Sequence, residues 1–173
     1  MRARILFLAL TPLLGAFALF GVAGLRINSS ASLPAGLYIA SAEGAFVEFC
    51  PDDHGLSAHR GYRHTPLLTP WAKGVCQDGA APLLKPMIGK TADEIILSPA
   101  GIMVNGKLLP HTAPLEQDSA GRPLTHWPFG HYRTGPGTLW VASSYNPRSY
   151  DSRYLGPILH SAVRVRLRTL LTR

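Results

Sequence analysis

The stretch Ile102-Met103-Val104-Asn105-Gly106-Lys107-Leu108-Leu109 carries the clearest local fold signal in the chain. Asn-Gly between two apolar runs is the strongest short hairpin signal, because a type I′ turn needs a positive φ at both of its central residues. The stretch therefore predicts two antiparallel strands, at 102–104 and 107–109, joined by a tight turn.

Short apolar runs separated by turn residues continue on both sides of this hairpin. No run of helical period is long enough to predict a helix after residue 26. Near the end of the chain, valine and leucine alternate with arginine from residue 163 to 168, as in a strand with one buried and one solvent-exposed face. We therefore predict a mainly β domain, with further strands at 36–40, 46–49, 83–88, 94–97, 139–142 and 162–168.

Residues 5–25 contain no charged side chain, and about 20 such residues suffice to cross a bilayer as a helix. Because Arg2 and Arg4 precede this run, the positive-inside rule places the N-terminus in the cytoplasm. We expect residues 1–26 to form a cytoplasmic tip and a transmembrane anchor. The alternative is a cleaved signal peptide, but such peptides have shorter apolar regions and an A-x-A site, which does not directly follow here.

The residues that follow, 27–173, are enough for one compact exported domain and too few for two. Two segments rich in polar residues, glycine and proline interrupt it, and we interpret 51–81 and 111–133 as irregular insertions.

Ser32 lies seven residues beyond the apolar run. At about 3.6 Å per residue it is at most roughly 25 Å from the membrane surface.

Cys50 and Cys76 are the only two cysteines, and an exported chain sits where disulfides persist. A disulfide is the favoured interpretation, and reduced thiols or a metal pair with nearby histidines are the alternatives. His54, His59 and His64 recur every fifth residue. A five-residue step turns by about 140° on a helix and changes face on a strand, so neither element brings them together. We expect no metal and no other cofactor.

The net charge of +7 is concentrated at the two ends of the chain. Without six terminal arginines, 11 basic residues nearly balance 10 acidic ones, which argues against a nucleic-acid groove. A basic tail can contact anionic lipid, and a solvated strand face explains it equally well. The six arginines are Arg2, Arg4, Arg164, Arg166, Arg168 and Arg173.

Three groups of polar residues are candidates for chemistry. Ser32, with Ser30 nearby, would by itself be typical of a turn or a cap. Lys85 lies within an apolar run, where a lysine either faces solvent or is held desolvated for a purpose. Pro86 favours an edge strand and thus the first option, because proline cannot donate to a ladder. The third group, residues 146–157, is compatible with a loop that satisfies its own polar groups.

Taken in order, these motifs resemble the signal peptidase I family. They are Ser-x-Pro-x-Gly-x-Tyr from Ser32, a lysine about 50 residues later, Val104-Asn105-Gly106, and Ser-x-Asp-Ser-Arg-Tyr-x-Gly from Ser149. They look most like the conjugal-transfer branch, the TraF-type pilin maturation peptidases. General leader peptidases have Ser-Met-x-Pro, and Gly-Asp-Asn-Arg where residues 143–146 read Ser-Ser-Tyr-Asn. Both differences favour the conjugal branch.

The resemblance implies a signal-peptidase-like β-barrel or sheet domain and a Ser-Lys dyad. Ser32 would be the nucleophile and Lys85 its general base, which requires an uncharged amine, and burial favours that form. Ser149 would orient Lys85. Ser30 and the backbone N–H of Ser32 would form the oxyanion hole. Asp151 and Arg153 would form a structural ion pair, which we expect to brace the site.

The implied reaction is endoproteolysis of a precursor inserted in the bacterial inner membrane, a conjugative pilin or another protein with a signal peptide. Such a substrate would bind as an added β-strand. We expect Leu33, Leu37, Leu83 and Leu84 to line its side-chain pockets. The acyl-enzyme is open to attack by water or by the substrate's own amine, so both hydrolysis and cyclisation are compatible with the sequence. Two alternatives are a general leader peptidase and an inactive, membrane-anchored scaffold of a secretion apparatus.

Overall fold

Two antiparallel β-sheets make up most of the computed structural model, which describes residues 24–51, 76 and 81–173. The larger sheet has seven strands, in the order β1 (Leu25–Asn28), β2 (Gly36–Ala40), β11 (Val163–Thr172), β3 (Phe46–Phe49), β4 (Leu83–Gly89), β9 (Thr138–Val141) and β10 (Ile158–Leu159). The smaller sheet has four, in the order β7 (Lys107–Leu108), β6 (Gly101–Val104), β5 (Glu94–Ser98) and β8 (Gly130–Arg133). A short helix, α1 (Ser152–Leu155), and a 3₁₀ turn (His160–Ala162) complete the fold, so the prediction of a mainly β domain is confirmed.

The predicted hairpin joins β6 to β7. Asn105 and Gly106 have φ values of 47° and 81°, as a type I′ turn requires, and Val104 pairs with Lys107 across it. The Asn105 side chain also accepts a hydrogen bond from the Glu94 backbone N–H at 2.8 Å and donates one to Asp93 at 2.9 Å. The turn is thereby fastened to the start of β5.

Strand β11 connects the two halves of the larger sheet, because it pairs with β2 on one side and with β3 on the other. Its pairing with β2 continues to Thr172 opposite Gly36, four residues beyond the predicted end at 168. Leu167 is fully buried, whereas Arg168 is exposed. The alternating pattern therefore anchors β2, which follows the Ser32 loop directly.

Strand β9 is buried on both faces and links the cores of the two sheets. Leu139 and Val141 pack into the core of the larger sheet, which also contains Val47, Phe49, Leu83, Leu155, Ile158 and Ala162. Trp140 and Ala142 point the other way, into a second core with Ile95, Leu97 and Ile102 of the smaller sheet. A third cluster, formed by Leu33, Tyr38 and Leu167, lies below the Ser32 loop.

Three strands were not predicted. Residues 130–133 were assigned to an irregular insertion, but they form β8 and pair with β5, so that boundary was wrong. Strand β8 reads Gly-His-Tyr-Arg and contains no aliphatic residue to signal a strand. Strand β1 begins at Leu25, the last residue of the long apolar run, and β10 has only two residues. In each case the backbone pairing partner, and not the local pattern, makes the strand.

Residues 1–23 of the expected membrane segment and most of the first insertion lie outside the described residues, as do His54, His59 and His64, whereas residues 25 and 26 belong to β1. In residues 24–51, 76 and 81–173, no helix is both long and apolar enough to cross a membrane.

A disulfide joins Cys50 to Cys76, with 5.6 Å between the Cα atoms. It ties the end of β3 to the far side of the insertion and leaves neither thiolate free to bind a metal.

One residue in the turn between β4 and β5 has an unfavourable backbone conformation. Ala92 has a φ of 75°, a region that costs a residue with a Cβ about 1–2 kcal/mol and costs glycine little. Since glycine also loses more chain entropy on folding, we expect Ala92→Gly to raise the free energy of unfolding by about 0.5–1 kcal/mol. Thermal or denaturant unfolding measures this change. Ala100→Gly is the matched control at an exposed turn residue without positive φ, and we expect it to lower stability.

Candidate active site

Ser32 lies in the loop between β1 and β2, and only 7% of its surface is exposed. The loop is held by Asn28, the last residue of β1, whose side chain is buried beneath it. The Asn28 amide lies 3.1–3.2 Å from three loop carbonyl oxygens, those of Ser30, Leu33 and Pro34. Because these bonds tie the backbone on both sides of Ser32, the loop presents this residue in a defined position.

Lys85 meets Ser32 from the middle of β4. Its Nζ lies 2.6 Å from the Ser32 Oγ and 2.9 Å from the Ser149 Oγ, and the two hydroxyl oxygens are 3.2 Å apart. The three side chains are buried, with 5% of Lys85 and 2% of Ser149 exposed. The structure therefore brings together three residues that are 53 to 117 positions apart in the sequence.

The interpretation of Lys85 as an outward lysine on an edge strand is wrong. Strand β4 lies between β3 and β9, and Lys85 is opposite Val47 of β3. Pro86 is accommodated at the point where the register with β9 starts, at Met87. Residue 86 contributes there through its carbonyl, which accepts the Ala142 N–H at 3.2 Å and does not need an N–H of its own.

Burial lowers the pKa of Lys85 from 10.5 to about 8. The main cause is desolvation, which disfavours the ammonium form. The negative charge of Asp151 acts in the opposite direction, and the positive charge of Arg153 adds to the lowering. About a tenth of Lys85 is thus an uncharged amine at pH 7, far more than for an unshifted lysine, and it lies next to a hydroxyl from which it can take a proton.

Asp151 and Arg153 form a fully buried ion pair behind these residues. The guanidinium donates through Nε to Asp151 Oδ1 and through Nη2 to Oδ2, both at 2.9 Å, and both side chains are 0% exposed. Arg153 also donates to the backbone carbonyls of Ser149 and Pro147, each at 2.8 Å. The pair thereby holds the backbone of the segment that carries Ser149.

Ser30 is exposed, and its hydroxyl proton is already used in a hydrogen bond to Asn28. Its Oγ donates to Asn28 Oδ1 at 2.8 Å, and its backbone N–H donates to the same oxygen at 3.2 Å. A hydroxyl has one proton, so Ser30 can donate to another acceptor only after it leaves Asn28.

The four leucines expected to line substrate pockets fall into different environments. Leu33 belongs to the third cluster, against which Leu84 packs, and Leu83 belongs to the core of the larger sheet. Leu33 and Leu83 are buried, at 2% and 8% exposure, whereas Leu37 and Leu84 keep accessible surface. Leu37 lines a shallow cavity between the start of β2 and the end of β11.

Two residues that contact the Ser32 loop were not predicted from the sequence. Asn28 is one of them, and no sequence signal marks it, because the strand that it ends was not predicted. Ser143 is the other, and it donates from its Oγ to the backbone carbonyl of Ser32 at 2.7 Å. Its only signal was its place in the segment 143–146 that differs from general leader peptidases.

Comparison with known proteins is consistent with these motifs. The sequence matches the family described as "Signal peptidase, peptidase S26" over residues 3–171. It is 34% identical over 157 residues to a plasmid transfer protein TraF of Escherichia coli, covering 87% of this chain and 84% of that one. It is 30% identical over 173 residues to the conjugal transfer protein TraF of Agrobacterium fabrum, covering 94% and 92%.

Among solved structures, a signal peptidase I from Enterococcus faecalis matches with a TM-score of 0.37 and 15% identity, over 73% of this chain and 96% of that one. The family assignment rests on the sequence matches, which extend over nearly the whole chain. This chain belongs to the peptidase S26 signal peptidase family and has TraF conjugal transfer proteins among its relatives.

Proposed function

We propose that this chain is a serine endopeptidase in which Ser32 and Lys85 form the catalytic dyad. The contact of 2.6 Å between the Lys85 Nζ and the Ser32 Oγ carries the proposal. The uncharged amine accepts the hydroxyl proton while the Ser32 oxygen bonds to the scissile carbonyl carbon. The resulting ammonium then protonates the leaving amine, and an acyl-enzyme on Ser32 remains. Serine with lysine is a known variant of the serine-protease triad.

The other polar residues support this dyad. Ser149 holds the Lys85 nitrogen, since its Oγ lies 2.9 Å away. The oxyanion is stabilised by the backbone N–H of Ser32 and by the hydroxyl of Ser30. Because the Ser30 proton is donated to Asn28, this hydroxyl turns toward the oxyanion only when substrate is present. The hole is thus half preformed in the free enzyme.

The substrate we propose is the precursor of a conjugative pilin, inserted in the inner membrane. Support comes from the relatives, which are named as plasmid and conjugal transfer proteins. Residues 5–25 anchor the enzyme in the inner membrane. Ser32 then lies near the periplasmic surface of that membrane, where such a precursor is cleaved. The precursor adds a β-strand beside the site, and the accessible faces of Leu37 and Leu84 contact its small side chains.

Cleavage of defined precursors by the purified full-length chain tests this function. The detergent-solubilised protein is incubated with a conjugative pilin precursor and, separately, with a general secretory precursor, and the products are analysed by mass spectrometry. We expect preferential cleavage of the pilin, and the product mass distinguishes a linear from a cyclic chain. Equal cleavage of both, together with rescue of a host depleted of its own leader peptidase, would show a general leader peptidase. No cleavage of either precursor would favour the inactive scaffold.

The pKa of Lys85 predicts an activity that rises with pH. Since only the uncharged amine can accept the proton, and its pKa is lowered to about 8, kcat/KM follows the deprotonated fraction. At pH 6 the rate should be roughly 100-fold below its alkaline plateau, with a midpoint near pH 8. Initial rates between pH 5.5 and about 9.5, within the range in which the protein stays folded, measure this profile. A flat profile between pH 6 and about 9 contradicts Lys85 as the base.

A further inference from the structure

Ser143 is a fully buried serine two residues after the end of β9, and it directly contacts the backbone of Ser32. Its Oγ donates to the Ser32 carbonyl at 2.7 Å, across 111 positions of sequence. The same oxygen accepts the backbone N–H groups of Tyr145 and Asn146, at 3.1 and 3.2 Å. All its hydrogen-bonding capacity is therefore used, and its one proton is directed at the nucleophile's own peptide group.

The backbone of Ser143 connects this contact to the buried ion pair. Its N–H donates to Asp151 Oδ2 at 3.0 Å, and that same oxygen accepts from the Arg153 Nη2. Arg153 Nη2 also donates to the Ser149 carbonyl. The pair thus reaches both halves of the site, Ser32 through Ser143, and Lys85 through Ser149.

The hydrogen bond from Ser143 restrains the ψ angle of Ser32, because it fixes the direction of the Ser32 carbonyl. A fixed carbonyl oxygen sets the plane of the peptide that follows Ser32, and with it the position of the Ser32 Cα and Oγ relative to Lys85. Reacting groups must be held within about 0.5 Å, and a misplacement of about 1 Å can cost on the order of 100-fold in rate. A single bond to this carbonyl is therefore able to control the rate without touching substrate.

We propose that Ser143 is a positioning residue. By donating a hydrogen bond to the Ser32 carbonyl, it holds the Ser32 Oγ within hydrogen-bonding distance of the Lys85 Nζ. This inference rests on the proposed function of Ser32. It assigns to the Asp151–Arg153 pair a second task besides stability, because the pair orients Ser143 through its N–H.

Replacement of Ser143 by alanine tests the proposal in the full-length enzyme. We expect Ser143→Ala to lower kcat by about 10-fold to 100-fold, with KM within about twofold and the pH midpoint still near 8. Each rate is normalised to the concentration of folded enzyme, measured by circular dichroism. Ser144→Ala is the matched control, since residue 144 is adjacent and only half-buried, and it should keep the wild-type kcat.

Each result of this experiment has a defined meaning. An unchanged kcat in Ser143→Ala overturns the proposal, and so does a shifted pH midpoint, which would show action on Lys85 instead. If the alanine variant fails to fold, Ser143→Cys decides, because the thiol has nearly the same size but is a weak donor. We expect a lowered kcat for it as well, and a wild-type kcat would refute the hydrogen bond's role. Failure of the proposed function is distinguishable, because then either the wild-type chain cleaves neither precursor or Ser32→Ala cleaves as the wild type does.

Discussion

Ser32→Ala and Lys85→Ala are each expected to reduce cleavage of a precursor by about 10⁴-fold or more. The first variant removes the oxygen that would bond to the scissile carbonyl. The second removes the amine 2.6 Å away that would take its proton. Since both act in one step, the double variant should be no slower than either single one. Mass spectrometry of the products after a fixed incubation measures the loss.

Lys85→Arg makes this test sharper. Arginine keeps a long stem and a positive charge but does not lose its proton at any pH used, so it cannot act as a base. We expect this variant to remain inactive even at about pH 9.5, where most of the wild-type Lys85 amine is uncharged.

Controls for the dyad come from exposed neighbours of the same residue type. Ser29→Ala changes an exposed serine three positions before Ser32, and Lys90→Ala an exposed lysine just after β4. Both should cleave at the wild-type rate. Wild-type cleavage by Ser32→Ala, Lys85→Ala or Lys85→Arg would eliminate the dyad.

Arg153→Ala is expected to lower the free energy of unfolding by about 3–5 kcal/mol, because breaking a buried ion pair leaves an uncompensated charge. Here the Asp151 carboxylate would remain fully buried without its partner. The carbonyls of Ser149 and Pro147 would also lose their donor. Urea unfolding at neutral pH, followed by circular dichroism, measures the change.

Arg148→Ala is the matched control for this prediction, because Arg148 is an exposed arginine five positions earlier. We expect its effect on stability to be within about 0.5 kcal/mol. Arg153→Lys should fall between the two, since a lysine keeps the charge but cannot form the paired bonds to Asp151. A loss below about 1 kcal/mol in Arg153→Ala would mean that the pair does not brace the fold.

Much of the strand content was predictable because it depends on local pattern. The strands Gly36–Ala40 and Phe46–Phe49 were predicted to the residue, and β4, β5, β6 and β9 to within one position at each end. Strand β8, in contrast, has no apolar alternation, and its pairing with β5 alone defines it. The same holds for the final four residues of β11, which continue only because β2 lies beside them.

The site shows the same division between local and long-range information. The motifs singled out Ser32, Lys85 and Ser149 as candidate residues, and the structure places these three side chains within hydrogen-bonding distance, which no motif could show. Ser30 was expected as a donor to the oxyanion, but in this structure its proton goes to Asn28. Asn28 and Ser143 carried no recognisable motif, since their importance comes from backbone carbonyls that they reach only after folding.

The sequence by itself determined the hairpin at Asn105-Gly106, the alternation in β11, the mainly β class and the order of the family motifs. These depend on residues within a few positions of each other. Only the tertiary structure decided that Lys85 is buried, because β3 and β9 pair with the two edges of β4 and because Ser32 and Ser149 lie against the lysine side chain. It also decided that an amine and two hydroxyls, up to 117 positions apart, lie within 3.2 Å of one another. Strand order and register set such distances, and no local pattern encodes them.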